Sequence, residues 1–265
     1  MIAAAPVHGA RRGAGGHEMS EQVSVHDHDG VRLIRWTRPD ALNAMSIEMW
    51  HGTRDALDSV ATDDIRCVVF TGTGRAFTVG QDLSEFADPR HGEPDGGFRG
   101  LMRALSEVRV PLIAAVNGTA VGFGLTLLPW CEIALVSPTA RFKAPFVGLG
   151  VVTEAAASVT LAEAMGPQAA ARYLLTGDWI SAEESVRLGL AWQVVDEESL
   201  VDEAMSLAAR IAAQPPQALR ATTRLLRERR GSTWDEALER EYTQMAQLAG
   251  GEENIAAITS FFDRS

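Results

Sequence analysis

The sequence predicts a mixed α/β fold in which buried strands alternate with helices before a wholly helical C-terminal part. The first observation is a set of short apolar runs typical of buried strands, among them residues 65–72, "IRCVVFTG", and 110–118, "VPLIAAVNG". The second is the helical spacing of apolar residues between these runs. The third is the double proline at 215 and 216, after which the composition is helical throughout. Interleaved strands and helices predict a sheet covered by helices.

The first elements after the N-terminus are a hairpin and a helix. Residues 1–20 have no periodicity, and we expect a disordered extension or a start-site artefact, with Met19 as an alternative start. Residues 23–37, "VSVHDHDGVRLIRWT", contain two β-rich runs around Asp-Gly, which is the chemistry of a hairpin turn. Ser46 begins a helix whose apolar residues are Ile47, Trp50, Leu57 and Val60.

Helices dominate the second half of the chain. A helix around 98–108 precedes the strand at 110–118, and the segments 152–166 and 167–177 predict two helices that each end at a glycine. Ser181 and Glu184 form a capping box for a third helix, and residues 199–213 are amphipathic. The double proline divides the chain into a core, 21–214, and a helical C-terminal subdomain, 215–265.

Composition excludes several classes of function. The formal net charge of -11 argues against nucleic-acid binding, and we interpret the arginine-rich stretch 220–230 as a solvated helix face. Cys67 and Cys131 have the spacing of neither a disulfide framework nor a metal site, and His26 and His28 beside the hairpin turn are better explained as polar strand residues. No apolar run is long enough for a bilayer and no secretory signal is present, so we expect a cytoplasmic protein without a metal site.

A glycine-bearing turn is the first candidate for chemistry. Residues 117–133, "NGTAVGFGLTLLPWCEI", place a turn between a buried strand and an apolar helix, where free N–H groups and the helix dipole favour negative charge. Neither dinucleotide-binding nor P-loop spacing is present, and a close helix–strand crossing that only glycine allows explains the turn equally well. A second turn, 74–86, "GRAFTVGQDLSEF", follows the preceding strand. Two such turns could direct two N–H groups at one carbonyl oxygen, forming an oxyanion hole.

Four motifs in this order resemble the crotonase superfamily, the enoyl-CoA hydratases and isomerases. They are "RPDALNAMS" at 38–46, "GRAFTVGQDL" at 74–83, "PLIAAVNGTAVGFGLTL" at 111–127 and "LLTGDWISAEESVRLGLAWQVV" at 174–195. The resemblance implies a crotonase-like spiral of repeated ββα units and a helical C-terminal subdomain for trimerisation. It also implies an acyl-CoA thioester substrate, no cofactor beyond the coenzyme A of that substrate, and a homotrimer or dimer of trimers.

The resemblance assigns roles to individual residues. The N–H groups of Gln81 and Phe123 would form the oxyanion hole, and the Phe123 ring would reshape the acyl pocket. The adenine and pantetheine path would be lined by Arg38, Ala41, Gly80, Asp82 and Leu83. For Arg38 and Asp82, a surface ion pair worth less than about 1 kcal/mol is the alternative.

The resemblance also separates hydration from isomerisation. The two hydratase glutamates correspond to Thr126 and Phe146, neither of which is a carboxylate, so hydration of a double bond is not expected. Glu154, in "PFVGLGVVTEAAASVT", matches the catalytic base of the 3,2-enoyl-CoA isomerases. An apolar pocket bounded by Phe123 and Phe146 would raise its pKa. Without the resemblance, Glu154 is better explained as a charge in the first turn of a helix, where it interacts favourably with the helix dipole.

Two rival hypotheses remain open. One keeps the oxyanion hole but uses another acid, Glu85, for hydration, thioester hydrolysis or ring chemistry, although Glu85 could simply be a solvated loop residue. The other is a non-catalytic acyl-CoA-binding paralogue, because both hydratase glutamates are missing.

Overall fold

The computed structural model describes residues 21–85, 88–93, 95–228 and 231–263, so the expected N-terminal extension lies outside the described residues. The strands are β1 (Val23–His28), β2 (Val31–Trp36), β3 (Cys67–Gly72), β4 (Ala76–Thr78), β5 (Leu112–Val116), β6 (Thr119–Val121), β7 (Ile133–Val136), β8 (Arg141–Lys143), β9 (Ile180–Ser181) and β10 (Gln193–Val194). The helices are α1 (Ile47–Asp58), α2 (Gly97–Glu107), α3 (Phe123–Thr126), α4 (Ala157–Met165), α5 (Pro167–Thr176), α6 (Ala182–Arg187), α7 (Leu200–Ala212), α8 (Pro216–Glu228), α9 (Gly231–Leu248) and α10 (Glu252–Phe262).

The N-terminal elements form as their local sequence predicts. β1 and β2 pair antiparallel, and Asp29 and Gly30 both have positive φ, as a two-residue hairpin turn requires. Ser46 is the N-cap of α1, where its hydroxyl accepts a hydrogen bond from the N–H of Met49 at 3.2 Å. Ser181 caps α6 in the same way, since its hydroxyl accepts from the N–H of Glu184.

Successive ββα units divide their strands between two sheets. The larger sheet has the order β1-β2-β3-β5-β7-β10, and every pair after the hairpin is parallel. The second strands form the smaller sheet, β4-β6-β8-β9, in which β4, β6 and β8 are parallel. This arrangement confirms the predicted ββα architecture. The strands of the smaller sheet have only two or three residues, too few for a recognisable alternation.

Both faces of the larger sheet are buried. Alternate residues of β3, Val68 and Phe70, belong to the larger hydrophobic cluster, whereas Cys67 and Val69 belong to a second cluster completed by Leu200, Ala204 and Ala208 of α7. A parallel sheet that is covered on both faces needs apolar side chains on both, which explains the continuous apolar runs of β3 and β5.

The C-terminal helices pack against the core. Trp234, Ala237 and Leu238 of α9 are buried in the larger hydrophobic cluster. Arg227 of α8 pairs with Glu132 at 2.7 Å and donates to the carbonyl oxygens of Val108 and Val110, and the Arg227 and Glu132 side chains are 13% and 11% exposed. The division at residue 215 stays a prediction, and it falls between α7 and α8. No helix in the described part of the chain has the length and apolar character needed to cross a bilayer.

We expect Arg227→Met to lower the free energy of unfolding by about 2–4 kcal/mol, because it removes charge-assisted hydrogen bonds from the buried Glu132 carboxylate and from the carbonyl oxygens of Val108 and Val110. Arg224→Met on the same helix is the matched control. Arg224 pairs with Glu228 on the exposed face, at 3.3 Å, and its loss should cost less than about 0.5 kcal/mol. Urea denaturation at a fixed protein concentration measures both, and equal losses would contradict the anchoring role of Arg227.

Candidate active site

The two glycine-bearing turns lie side by side because the strands before them are paired. β4 and β6 are parallel neighbours, with Ala76 opposite Thr119 and Thr78 opposite Ala120. The carboxyl ends of parallel neighbours leave the sheet at the same edge. The turns that contain Gly80 and Gly122 therefore begin next to each other.

Backbone contact between the turns is close enough to require glycine at position 80. Gly80 has φ +81°, and a Cβ atom there would lie 3.0 Å from the carbonyl oxygen of Val121 and 3.2 Å from the nitrogen of Phe123. Gly122 has φ +56°, and its own Cβ would lie 3.8 Å from the Cα of Gly80. The backbone of Gly80 thus lies directly against the predicted second donor, the N–H of Phe123.

Among the described residues, neither predicted oxyanion donor has a hydrogen-bond acceptor. Met45 and Gln81 form an isolated β-bridge, in which the N–H of Met45 donates to Gly80 O at 2.8 Å and the N–H of Asp82 donates to Met45 O at 3.1 Å. The bridge therefore uses the backbone of Gly80 and Asp82 and does not use the N–H of Gln81. Phe123 is the first residue of α3, where an N–H has no partner within the helix. Among the described residues, neither N–H donates to another protein group.

Trp50 of α1 connects the two turns through its side chain. The indole N–H donates to Oε1 of Gln81 at 3.0 Å, and the indole ring meets the Phe123 ring edge-to-face at 4.8 Å. The Phe123 ring is 1% exposed and also contacts Phe98 at a centroid distance of 6.1 Å. It therefore packs in the core, where one of its ring contacts is the half-buried Phe98.

The predicted coenzyme A path begins at a half-buried ion pair. Nη1 of Arg38 lies 3.0 Å from Oδ2 of Asp82, and the two side chains are 24% and 14% exposed, so the pair is not on the open surface. Burial would raise the pKa of Asp82, but hydrogen bonds from Ser84 and Arg38 outweigh it and lower the pKa. Ala41 ends the 3₁₀ turn after Arg38, and Leu83 begins the turn after Asp82. The pair thus joins the two segments expected to contact coenzyme A.

Glu154 lies before helix α4 and not in its first turn, so the predicted start of the helix at residue 152 is wrong. α4 begins at Ala157, and Ala155 and Ala156 between them both have left-handed backbones, with φ of 59° and 58°. Each such alanine costs about 1–2 kcal/mol, which surrounding contacts must offset. The Trp130 indole N–H donates to Ala155 O at 2.9 Å, and Glu241 accepts from the N–H of Ala156. These contacts override the helix propensity of the alanines.

The environment of Glu154 suits a base. Burial, and after it the negative charge of Glu241, raises the pKa of Glu154 to about 8. The residue nevertheless keeps partial solvent access. Among the described residues, its carboxylate accepts no hydrogen bond that would stabilise the charged form.

Tyr242 links Glu154 to the aromatic residues around the oxyanion donors. Burial raises the pKa of Tyr242, Arg99 lowers it, and the charge of Glu154 raises it further. The Tyr242 ring meets the Phe98 ring edge-to-face at 6.2 Å, and Phe98 in turn contacts Phe123. Tyr242 is thus influenced by the charge of Glu154 and belongs to the ring contacts that reach Phe123. Sequence analysis missed Glu241 and Tyr242, because nothing in the local pattern of α9 distinguishes them from other helix residues.

The other candidate residues have structural roles: burial in the core or capping of a helix. Thr126 and Phe146, which the resemblance aligns with the hydratase glutamates, are buried, and among the described residues the Thr126 hydroxyl has no hydrogen-bond partner. Glu85 accepts a hydrogen bond from the N–H of Ile47 at 2.7 Å, so it caps the start of α1 instead of being simply solvated. The described residues hold no group of three or more potential metal ligands. A cleft of about 420 Å³ beside Trp130 and Trp234 is lined by none of the predicted catalytic residues.

Comparison with known proteins identifies the family. The family model described as enoyl-CoA hydratase/isomerase matches residues 26–264, so the chain belongs to that family, within the crotonase superfamily. A crystal structure of an enoyl-CoA hydratase/isomerase from Pseudoalteromonas atlantica superposes with a TM-score of 0.89 and 31% identity, covering 92% of this chain and 98% of that chain.

Curated relatives include both isomerases and hydratases. The 1,2-epoxyphenylacetyl-CoA isomerase of Escherichia coli is 35% identical over 86% of this chain and 91% of its own length. Enoyl-CoA delta isomerase 2 of Rattus norvegicus is 32% identical over 92% of this chain but only 64% of its own length. The 2,3-dehydroadipyl-CoA hydratase of Escherichia coli is 31% identical over 93% and 97%. These similarities establish an enzyme of acyl-CoA metabolism without choosing between the two reactions.

We expect Gly80→Ala to lower the turnover of enoyl-CoA substrates by about 10²–10³-fold, because the added Cβ displaces the backbone at the Phe123 donor. Gly166→Ala is the matched control, since Gly166 has φ +83° and a Cβ added there would meet nothing within 4 Å. Both variants should lose about 1–3 kcal/mol of stability from backbone strain. Steady-state kinetics with denaturation separates the effects, and equal turnover in the two variants would contradict the role of the contact.

Proposed function

We propose that this protein is a 3,2-enoyl-CoA isomerase, which moves the double bond of a 3-enoyl-CoA into conjugation with the thioester. The observation that carries the proposal is a desolvated carboxylate, Glu154, in a chain whose Gln81 and Phe123 amides donate to no other group among the described residues. Thr126 and Phe146 support the choice over hydration, because neither side chain can act as a carboxylate base to activate water.

The reaction needs one base and one site for negative charge. Glu154 accepts a proton from C2, and the electron pair of the C–H bond delocalises onto the thioester oxygen. The N–H groups of Gln81 and Phe123 stabilise this dienolate, and each such donor is worth about 2.7–4 kcal/mol in a comparable site. Protonated Glu154 then donates the proton to C4, the C2–C3 double bond forms, and the carboxylate is restored.

A pKa near 8 suits a residue that both accepts and returns a proton. A carboxylate of ordinary acidity would be a weak base for C2, whereas a much more basic group would hold the proton too tightly for transfer to C4. In Glu154, burial and the neighbouring carboxylate provide the intermediate value.

The homotrimer or dimer of trimers expected from the resemblance remains part of the proposal. Its support is a set of large apolar side chains exposed on the C-terminal helices: Leu225, Leu226, Ile255, Phe261 and Phe262. Covering such side chains is what an oligomer interface would provide.

We expect Glu154→Gln to abolish isomerisation of 3-enoyl-CoA thioesters while leaving their binding intact, because glutamine cannot accept the C2 proton. Glu85→Gln tests the rival acid and should keep wild-type turnover. Conjugated thioester absorbance measures isomerisation, and mass spectrometry measures 3-hydroxyacyl-CoA separately. Rapid hydration by the wild type, or unchanged turnover in Glu154→Gln, would overturn the assignment. Binding without turnover even in the wild type would favour the non-catalytic paralogue.

The pH profile is a second test. Because the folded protein raises the pKa of Glu154 to about 8, kcat/KM for isomerisation should fall about tenfold per pH unit below that value, as the base becomes protonated. Measurement between pH 5.5 and 9.5 with a short-chain 3-enoyl-CoA gives the apparent pKa. An acid limb centred near the usual glutamate value, about 4.3, would contradict a desolvated base.

A further inference from the structure

Helix α9 reaches back to the turn that carries the proposed base. Glu241 of α9 is 6% exposed, and its carboxylate accepts hydrogen bonds from the N–H of Ala156 at 2.8 Å and of Ser158 at 2.9 Å. A buried carboxylate with two backbone donors holds those two peptide groups in fixed positions. Glu154 lies two residues before the first of them.

The backbone conformation of the turn at residues 155 and 156 is not the one that its own residues prefer. Ala155 and Ala156 have left-handed backbones without being glycine, and alanine otherwise favours continuation of α4 toward Glu154. The second tie, from Trp130 to Ala155 O, is also supported by α9, because the Trp130 ring packs edge-to-face against Trp234 at 4.9 Å. Both restraints on the turn therefore depend on α9.

Glu241 also sets a second carboxylate near Glu154. Burial raises the pKa of Glu241, and its hydrogen bonds with Ser158 and Ala156 and the charge of Arg240 oppose that shift only in part. Glu154 has no such donors among the described residues, so burial and the charge of Glu241 raise its pKa without opposition from hydrogen bonds. The other groups that face the pair are Tyr242, also on α9, and, over its ring, Arg99 of α2.

We propose that Glu241 is a positioning residue for Glu154: from α9 it fixes the left-handed turn on which the base is carried and sets a second carboxylate near the base. The expected effect on kcat rests on the proposed function, whereas the expected effect on the turn and on the pKa of Glu154 does not. The alternative is that Glu241 only caps the start of α4. In that case Glu241→Gln would change the stability of the protein but not the position or the pKa of Glu154.

The test compares two substitutions that separate the roles. Glu241→Gln removes the charge and one of the two acceptors. It should lower kcat about 10–100-fold, because small displacements of a catalytic group have effects of this size, and shift the acid limb of kcat/KM to lower pH by about one pH unit. Glu241→Asp keeps the charge but withdraws the carboxylate by one methylene. It should lower kcat with the acid limb near its wild-type position, and it serves as the second variant if Glu241→Gln does not fold.

Glu163→Gln is the matched control. Glu163 of α4 accepts a hydrogen bond from the Trp234 indole N–H at 3.1 Å, so it also joins α4 to α9, but through the other end of α4. It should keep the wild-type kcat and pH profile. An unchanged kcat in both Glu241 variants would overturn the proposal whatever happens to the pH profile, as would an equal loss in Glu163→Gln.

A substrate-free titration distinguishes failure of this inference from failure of the proposed reaction. In protein labelled with ¹³C at the glutamate carboxyl, Glu154→Gln identifies the Glu154 resonance, and its pKa is measured in the wild type and in Glu241→Gln. A lower Glu154 pKa in Glu241→Gln would support the coupling even if the wild type proved inactive toward 3-enoyl-CoA. An unchanged Glu154 pKa would overturn it even if isomerisation were confirmed.

Discussion

Contact between the backbone at Gly80 and the backbone at Gly122–Phe123 is the constraint on which the candidate site depends. The contact exists because β4 and β6 are parallel neighbours and because no Cβ separates the two turns. Two free N–H groups can serve one oxygen only if their strands end at the same edge at nearly the same height, and the register of Thr78 opposite Ala120 provides this. Trp50 then joins the turns through Gln81 and Phe123, so that movement of one donor disturbs the other.

The repeated ββα unit explains how such a site arises from short segments. In each repeat the first strand enters the larger sheet, whose two buried faces supply most of the core, and the second enters the smaller sheet. The first strand can therefore be selected for packing and the turn after the second for chemistry. β3 and β5 are apolar throughout, whereas the turns after β4 and β6 contain the glycines and the free amides.

The sequence predicted those features that depend on neighbouring residues. It did not predict the features that depend on contacts between residues far apart in the chain. Asp29–Gly30, Ser46 and Ser181 act on backbone within three residues, and all three behave as expected. The predicted pair of turns has glycines with positive φ at 80 and 122, although each turn follows a short strand, β4 or β6, and not directly the apolar run seen in the sequence. The turn after Glu154 was not predictable from its alanines, since the group that holds it, Glu241, lies 85 residues away from Ala156. The short strands β4, β6, β8 and β9 were missed because two or three residues show no period, and resemblance alone supplied the ββα repeat.

Helix α9, although it belongs to the C-terminal helical segment, packs into the core and contacts the turn after Glu154. A segment that served only to join subunits could be altered without consequence for the base, provided that the oligomer survived. Here α9 contributes Trp234 and Leu238 to the larger hydrophobic cluster, Tyr242 to the aromatic contacts that reach Phe123, and Glu241 to the turn after Glu154. The oxyanion donors are fixed by the N-terminal half of the chain, whereas the environment of the proposed base is fixed by α9. Docking of α9 is therefore a condition for the proposed proton transfer, because only then are the base and the oxyanion donors both in place.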